Sequence, residues 1–373
     1  MLDVLIVSLG STGGLRAVDE ELLASLRRAG AHAEIARAQV PRRRMRTLML
    51  TDLAWALAAR RAAREALARE DARAVIYSTT TAALLWPRPG AIRFDALAAA
   101  NRPGRHGLWQ RRLERRRLRE ATLLLPQSEG ALEEAPGALP DWCVNPVAFG
   151  ATLVAMDATG VAFGAPGGVD EHVLVLPVPV EPSASPGELA SAPRDIAAIT
   201  YAANPAKKGL DVLLAAWARV HRPGEELYVA GVAESELRAL GYAIPAEGVR
   251  VTGALPSDEY RSLVRRSRVY VCAARREDYG IAQLEALADG CQLVTMPSPG
   301  PYVALPLARE LDRRLVGEDV GTALRTALDD SLPDYAKRAV QALVPFRRET
   351  IDRVVSRELL ARLERRGSPT AGH

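Results

Sequence analysis

Residues 269–296 read "VYVCAARREDYGIAQLEALADGCQLVTM". An apolar run leads into a charged turn that contains Gly280, then a segment with apolar residues at helical spacing, then a second apolar run. This order predicts a buried parallel strand, a helix that begins near Ile281, and the next parallel strand. Two carboxylates mark the connection: Glu277 lies in the turn, and Glu285 lies about one and a half turns into the helix.

The same alternation of strands and helices extends through the rest of the chain. The first part begins with "LDVLIVSLGSTGG" (2–14), an apolar run before a glycine-rich turn, and similar runs recur near 73–79, 91–94 and 121–128. In the second part we predict strands at 196–202, 226–231, 249–252, 269–273 and 292–296, and helices at 208–221, 234–240, 257–267 and 281–289. Repeated β-α units indicate parallel sheets with helices on both faces.

The length of 373 residues exceeds what one core usually serves, so we expect two lobes. The first lobe should span residues 1–180 and the second 196–345. The stretch 181–195 between them is rich in proline and small residues and is predicted to be a linker. A helix at 346–366, preceded by a break at Pro345, and a disordered tail at 367–373 complete the assignment. Residues 130–172, rich in glycine and proline, permit few assignments.

Composition indicates a cytoplasmic protein. Apolar residues make up 48% of the chain and charged residues 25%, no leader is predicted, and no apolar run has the length of a membrane span. Three scattered cysteines (Cys143, Cys272 and Cys291) argue against a disulfide framework or a metal cluster. We therefore expect the protein in a reducing cytoplasm.

The net charge of +4 is carried mainly by arginine. Two clusters, "PRRRMR" (41–46) and "RRLERRRLRE" (111–120), are interpreted either as solvated helix faces or as attraction for an anionic partner. Peripheral contact with the inner face of a membrane is compatible with the second interpretation. Nucleic acid is not favoured, because no aromatic residues interleave the basic runs.

Lysine occurs at only three positions, and Lys207 and Lys208 are adjacent in "NPAKKGLD" (204–211), at a predicted strand-to-helix turn. An ammonium group beside a helix N-terminus makes an anion site, so we consider diphosphate binding alongside a simple surface loop. Glu277 and Glu285 are in turn either helix-dipole and surface acids or ligands for vicinal hydroxyls. A glycosidase pair, which needs carboxyls roughly 5–10 Å apart, is not excluded by spacing. A nucleotide sugar matches two carboxylates with a lysine.

The segment from about 196 to 300 resembles the C-terminal lobe of family 4 glycosyltransferases, which are retaining enzymes of the GT-B fold. The resemblance is carried by "KKGLDVLLAAW" (207–217) and by "VRVTGALPSDEYRSLVRRSRVYVCAARREDYGIAQLEALADGCQLVT" (249–295). The two-glutamate motif of that family matches Glu277 and Glu285, and its aromatic–glycine step matches Tyr279–Gly280. The resemblance implies two Rossmann-like lobes that face a cleft, with a kinked C-terminal helix that returns to the first lobe.

The resemblance also implies roles for individual residues. Glu277 would bind hydroxyls of the transferred sugar, assisted by backbone N–H groups near Gly280 and Ile281, and Glu285 would bind the ribose. Lys208, with help from Lys207, would contact the diphosphate.

Three further positions are implied more loosely. Gly253 would lie by the nucleotide base, and Gly13 and Gly14 resemble the glycine loop that faces the phosphates and the acceptor.

The sequence departs from the family pattern in three places. Ala202 stands near the position where the family usually has an arginine, which leaves the diphosphate to Lys208 and Lys207. Phe94 stands where the family often has a histidine, so either Asp95 takes a polar role, His106 reaches the site, or the role is missing. The third departure is residues 130–172, which match nothing in the family.

The implied activity is hexosyl transfer from a UDP- or GDP-sugar with retention, within glycan biosynthesis. Lys208, Glu277 and Asp95 are the candidate catalytic residues. The resemblance implies no protein nucleophile, no divalent metal and no cofactor. The acceptor, whether carbohydrate, lipid-linked or small molecule, is not specified.

Three alternatives remain. A nucleotide-sugar epimerase has the same architecture, and a GT-B-like protein that has lost activity would only bind a partner. A dinucleotide oxidoreductase is disfavoured because "GSTGG" (10–14) lacks the G-x-G-x-x-G spacing.

Overall fold

The computed structural model describes residues 1–40, 47–102, 104–134, 137, 139 and 171–367. The chain divides into two compact units. The first unit comprises Met1–Pro179 together with Arg348–His373, and the second comprises Val180–Arg347. Each unit is an α/β layer structure built on one five-stranded parallel sheet, so the predicted fold class is confirmed.

The sheet of the first unit has the strand order β2-β1-β3-β4-β5. Its strands are β1 (Leu2–Ser8), β2 (Ala33–Arg37), β3 (Ala72–Tyr77), β4 (Ala91–Phe94) and β5 (Leu123–Pro126). Its first helices are α1 (Gly13–Arg28), α2 (Leu48–Arg69), α3 (Thr80–Ala83), α4 (Ala98–Asn101), α5 (Leu108–Glu120) and α6 (Gly130–Glu133), with a 3-10 turn at Arg105–Gly107. Helices α2, α3 and α5 share one core cluster, which places them on the same face of the sheet.

The sheet of the second unit has the order β10-β9-β6-β7-β8. Its strands are β6 (Ile196–Tyr201), β7 (Leu227–Ala230), β8 (Val249–Gly253), β9 (Ser267–Cys272) and β10 (Gln292–Thr295). Its helices are α7 (Pro186–Ser191), α8 (Leu210–Val220), α9 (Glu234–Ala239), α10 (Ser257–Arg266), α11 (Ile281–Ala288), α12 (Ala304–Asp312), α13 (Val320–Asp329) and α14 (Tyr335–Ala342), with 3-10 turns at Arg313–Leu315 and Val344–Phe346.

Both sheets contain a topological switch point. At this point two neighbouring strands are followed by connections that run toward opposite edges of the sheet. In the first unit the switch lies between β1 and β3, and in the second it lies between β6 and β9. Ligands of open α/β sheets bind outside the carboxyl ends of the strands at such points. A ligand-binding site in the second unit is therefore expected at the loops after β6 and β9.

The helix and strand predictions for the second unit are confirmed to within two residues at most boundaries. Helices α12 and α13 and, in the first unit, β2 and α2 were not predicted. The break expected at Pro345 is present as the 3-10 turn Val344–Phe346. Beyond it the chain joins the first unit as α15 (Arg348–Val354), a π-helical turn (Val355–Leu359) and α16 (Leu360–Gly367). There Val354 and Leu359 belong to a core cluster with α1.

Residues 181–195, for which we expected a linker, are bound to the second unit. Ser183 donates its backbone N–H and its hydroxyl to the fully buried Asp289 carboxylate at 2.7 and 2.8 Å. Helix α7 begins with a capping box between Ser185 and Glu188, which satisfies N–H groups that its first turn would otherwise leave free.

Some sequence predictions fall outside the described residues. They concern the arginine cluster at 41–46, most of the stretch 130–172, the His106 side chain and the tail after residue 367. None of the helices described is long and apolar enough to cross a bilayer.

A buried carboxyl group lies near the carboxyl ends of β3 and β4 in the first unit. Glu114 on α5 is 2% exposed and accepts the backbone N–H of Ala98 at 2.9 Å. Burial raises the pKa of Glu114 to about 7, although the Thr80 hydroxyl and the Ala98 N–H, by hydrogen bonding to the carboxylate, oppose the shift. The folded protein therefore holds this proton more tightly than the unfolded chain.

We predict that Glu114→Gln makes the first unit less sensitive to pH. Because the folded-state pKa is raised, the stability that Glu114 contributes is present below about pH 4.5 and is lost as the pH rises through about 7. Glutamine keeps an acceptor for Ala98 but cannot ionise. We expect the free energy of unfolding of the variant, measured in urea between about pH 5 and 8, to rise relative to that of the wild type by up to roughly 3 kcal/mol as the pH rises. The exposed Glu65→Gln is the control, and parallel curves for Glu114→Gln and the wild type would contradict the assignment.

Candidate functional site

The loop after β6 carries the two adjacent lysines and ends at Gly209. Gly209 caps α8 in the left-handed conformation, with φ of +61°. A Cβ atom at this position would lie 1.9 Å from the carbonyl oxygen of Ala273, which follows β9. Only glycine permits both the backbone angle and this approach, so the lysine loop lies directly against the end of β9.

Lys208 and Glu277 form the central contact of the site. The Lys208 Nζ atom donates to Glu277 Oε2 at 2.5 Å, and Gln283 Nε2 donates to the same oxygen at 2.9 Å. Glu277 is only 6% exposed. A buried carboxylate needs such partners, because an unpaired charge in the interior is costly. Both donors reach Oε2, so Oε1 faces away from this pair of contacts.

A second ion-pair group lies beside the first. Lys207 Nζ donates to Asp278 Oδ2 at 2.6 Å, and Arg276 Nε donates to Asp278 Oδ1 at 2.9 Å. Asp278 therefore holds two cations from the two loops that meet at the switch point. Sequence reasoning did not identify Asp278 or Arg276, because neither belongs to the two-glutamate motif.

Arg275 links the loop after β9 to the loop after β6 and to the start of α8. Its guanidinium donates to the Asp211 carboxylate at 3.0 and 2.6 Å and to the Ala206 carbonyl at 2.7 Å. Its backbone N–H donates to the carbonyl of Lys207 at 2.9 Å. These contacts fix the lysine loop relative to the turn that carries Glu277.

Glu285 belongs to a separate group of charges on α11. Arg261 lies between it and Asp289, with Nη1 3.2 Å from Glu285 Oε1 and Nε 2.7 Å from Asp289 Oδ2. Burial raises the pKa of Glu285, and the Arg261 charge opposes that shift. The side chain is 28% exposed, so part of the carboxylate reaches solvent. The structure thus places Glu277 and Glu285 with different partners.

The remaining predicted residues of the second unit lie on the same edge of the sheet. Gly280 caps α11 with φ of +91°, and no side chain caps the first turn of that helix, which begins at Ile281. A Cβ at Gly280 would meet the Tyr302 ring at 2.7 Å. Tyr279 is buried, and Gly253 ends β8 with φ of +75° and open space around it.

The predicted residues of the first unit lie at the carboxyl ends of its strands. Gly13 and Gly14 form the start of α1, which Thr12 caps by accepting the N–H of Leu15. A Cβ on either glycine would meet no atom within 4 Å. Asp95 follows β4 and accepts the backbone N–H of Ala96 at 2.9 Å.

Within the described residues, no group of three or more His, Cys, Asp or Glu side chains is placed to hold a metal ion. The independence from metal that the sequence implied remains a prediction.

One known protein family matches most of the second unit. Residues 194–330 match the family described as Glycosyl transferases group 1. Over this range the second unit is similar to that family. No curated protein matches the sequence of the chain.

Solved structures agree on the fold of the whole chain. The Anabaena protein HepE, in complex with UDP and glucose, has a TM-score of 0.62 at 14% identity, covering 96% of this chain and 99% of that one. WaaG, a glycosyltransferase involved in lipopolysaccharide biosynthesis, has a TM-score of 0.61 at 14% identity, covering 99% and 100%. Sucrose-phosphate synthase from Thermosynechococcus elongatus has a TM-score of 0.62 at 14% identity, covering 96% and 98%. The chain has the GT-B fold of glycosyltransferases.

We predict that Gly209→Ala destabilises the second unit by roughly 2–4 kcal/mol, because the methyl group meets the Ala273 carbonyl and the backbone angle is unfavourable. Urea unfolding followed by tryptophan fluorescence measures this. Gly241→Ala is the matched control, because Gly241 has φ of +84° but nothing within 4 Å of an added Cβ. This variant should lower the free energy of unfolding by only about 1–2 kcal/mol. Equal losses would mean that the close approach contributes nothing.

Proposed function

We propose that the protein transfers a sugar from a nucleotide diphosphate sugar to an acceptor hydroxyl, with retention of configuration and without a metal ion. The observation that carries the proposal is the Lys208–Glu277 contact at the switch point of a unit that is similar to the family Glycosyl transferases group 1. It provides a cation for a diphosphate and a carboxylate for sugar hydroxyls next to each other.

The transferred sugar would bind at the turn after β9. Its hydroxyls would donate to Glu277, whose Oε2 is occupied by Lys208 and Gln283, so Oε1 is the available acceptor. The uncapped first turn of α11 supplies N–H donors near Gly280 and Ile281. Carboxylate acceptors and backbone donors together suit the mixed donors and acceptors of a pyranose ring.

The diphosphate would bind at the lysine loop. Lys208 has three N–H donors, so it can keep its contact with Glu277 and add a phosphate oxygen. Lys207 and the start of α8 add positive potential. Ala202 is 1% exposed and its backbone N–H bonds to Ala230, so no cation comes from that position.

The nucleoside would extend toward α11 and β8. Glu285 would accept the ribose hydroxyls through its exposed edge while Arg261 holds its other side. Gly253 leaves open space for a base. In the first unit we assign the acceptor and phosphate side to Gly13 and Gly14.

Asp95 is the polar residue that we assign to the transferred sugar from the first unit, at the end of β4 where the family often has a histidine.

The reaction would proceed on one face of the sugar. The bond between the anomeric carbon and the diphosphate oxygen breaks, and its electron pair leaves with the diphosphate. The acceptor oxygen forms the new bond on the same face, and its proton passes to the leaving phosphate oxygen. Lys208 stabilises the charge that develops on the departing group. No protein nucleophile is required.

UDP-sugars are the first donors to test. HepE was solved with UDP and glucose, and trehalose-6-phosphate protein from E. coli, with a TM-score of 0.60 at 13% identity, was solved with UDP-2-fluoro glucose.

We predict that calorimetric titration with UDP-, GDP- and ADP-sugars, in the presence of a chelator, shows selective binding of one nucleotide. Glu285→Ala should weaken that binding by about tenfold or more, because the ribose loses an acceptor. The 2′-deoxy form of the preferred nucleotide should bind the wild type more weakly than the parent but lose little further affinity in the variant. The exposed Glu259→Ala is the control.

Other results would redirect the assignment. Binding without turnover over a broad set of acceptors would favour the inactive binding protein, and isomerisation of free donor without an acceptor would favour the epimerase. Failure of every nucleotide to bind would overturn the proposal.

We predict that Lys208→Ala lowers turnover by about 10²–10³-fold, the scale for loss of one preorganised donor. Release of the nucleoside diphosphate from saturating donor measures this. Lys207→Ala should lose less, since its side chain is more exposed, 40% against 23%. Exposed Lys337 on α14 gives the matched control Lys337→Ala. An unchanged rate for Lys208→Ala would remove it from the leaving-group site.

A further inference from the structure

Helix α2 exposes three leucines on the side opposite its fully buried alanines. Ala59 and Ala63 are fully buried in the core of the first unit. Leu50, Leu53 and Leu57, on the opposite side, are 43%, 36% and 51% exposed. Burying a leucine stabilises a protein far more than burying an alanine, so packing within the chain does not account for this arrangement. An exposed apolar face of this kind is typical of a site that binds a protein or a membrane.

The exposed apolar side chains of the first unit are concentrated at the starts of two helices. Apart from Met1, the large hydrophobic residues exposed among the described residues of this unit lie on the first three turns of α2 and at the first residue of α5: Met49, Leu50, Leu53, Leu57 and Leu108.

Arg102 links α2 to α5 near their starts. The Arg102 guanidinium donates twice to the Asp52 carboxylate of α2, at 2.7 and 3.0 Å. The backbone carbonyl of Arg102 accepts from Arg111 of α5. Both helices also belong to one core cluster, on one face of the sheet. Because both helices lie on the same face of the sheet, their exposed sides both point away from it.

Arginines continue this surface along both helices. On α5, Arg112, Arg115 and Arg119 are exposed and follow Leu108 at a spacing that keeps them on one side of the helix. On α2, Arg61 and Arg64 are exposed beyond the leucines. None of these five side chains pairs with a carboxylate among the residues that the structure describes.

The acidic residues of α5 do not neutralise this side. Glu114 points inward and is buried, and Glu120 is held by Arg116 and Arg117 at 2.7 and 2.6 Å. The exposed side of the helix is therefore almost uniformly cationic.

We propose that this surface, which we call the leucine–arginine face, rests on an anionic lipid bilayer. It is defined by Leu50, Leu53, Leu57, Leu108, Arg112, Arg115 and Arg119. The leucines would enter the boundary between headgroups and acyl chains, and the arginines would pair with lipid phosphates. The inference is independent of the proposed function.

Other occupants fit the surface less well. In a symmetric dimer built on this face, arginine rows of two copies would approach each other, which costs energy. Nucleic acid would pair with the arginines but would leave the leucines without a partner, and no aromatic side chains are exposed there for stacking on bases. A bilayer satisfies both halves of the surface.

The test is sedimentation of the full chain with vesicles. One set contains phosphatidylcholine alone, and the other contains about one-third phosphatidylglycerol. The first variant is the triple change Leu50→Ser, Leu53→Ser and Leu57→Ser, and the second is Arg112→Gln, Arg115→Gln and Arg119→Gln. The control, Arg219→Gln, Arg222→Gln and Arg238→Gln, removes the same charge from exposed positions of the second unit.

We predict that the wild type binds the anionic vesicles at least about tenfold more tightly than the neutral ones, and that each triple variant loses about tenfold or more while the control retains binding. Circular dichroism and urea unfolding verify that the variants fold. Absence of binding to anionic vesicles, or equal losses in the control, would overturn the proposal. Wild-type binding by the leucine variant would overturn it as well, because simple adsorption of charge would then suffice. A dimer that the leucine variant abolishes, with no lipid binding, would assign the face to self-association.

Discussion

The ion pair between Lys208 and Glu277 is the interaction on which the candidate site depends. It joins two loops 69 residues apart in the chain, and its carboxylate is nearly buried. A buried charge without its partner costs several kcal/mol, so the lysine, the glutamate and the supporting Gln283 form one unit. That unit exists only because Gly209 lets the backbone approach the end of β9. The requirement for glycine at this position thus comes from the positive φ and the close approach to the Ala273 carbonyl oxygen.

Much of the second unit follows from local sequence patterns. Each buried strand is a short run of β-branched and aliphatic residues, each helix has apolar residues at helical spacing, and their alternation dictates a parallel sheet. Strand order also explains why Lys208 and Glu277 meet, because β6 and β9 are neighbours at the switch point. Spacing alone could not supply that order; the resemblance to a known family assigned both residues to one donor site without it. The partners Asp278, Arg276, Gln283 and Arg261 were missed because their contacts depend on side-chain direction in three dimensions.

The first unit was less predictable for a physical reason. Helix α2 buries alanines and exposes Leu50, Leu53 and Leu57, while Trp55 and Leu67 pack against the core, so its large apolar residues do not mark a single face. Strand β2 is short and partly exposed, which weakens its apolar signal. The linker prediction had a similar origin: prolines and small residues at 181–195 suggested a flexible segment, but Ser183 there is bound to a fully buried carboxylate, Asp289.

Positive charges are arranged differently at the candidate site and on the leucine–arginine face, and the two arrangements suit different kinds of ligand. Around the candidate site the cations are already paired: Lys207 with Asp278, Lys208 with Glu277 and Arg275 with Asp211. Because these cations are held in a fixed geometry, a ligand anion that matches it binds without reorganising them. The anion must also compete with the carboxylates, and this competition favours a diphosphate of matching shape over other anions. On α5, Arg112, Arg115 and Arg119 are exposed and pair with no carboxylate among the residues that the structure describes. Long guanidinium side chains of this kind suit a surface whose anions rearrange, such as lipid headgroups, rather than one ligand of fixed shape.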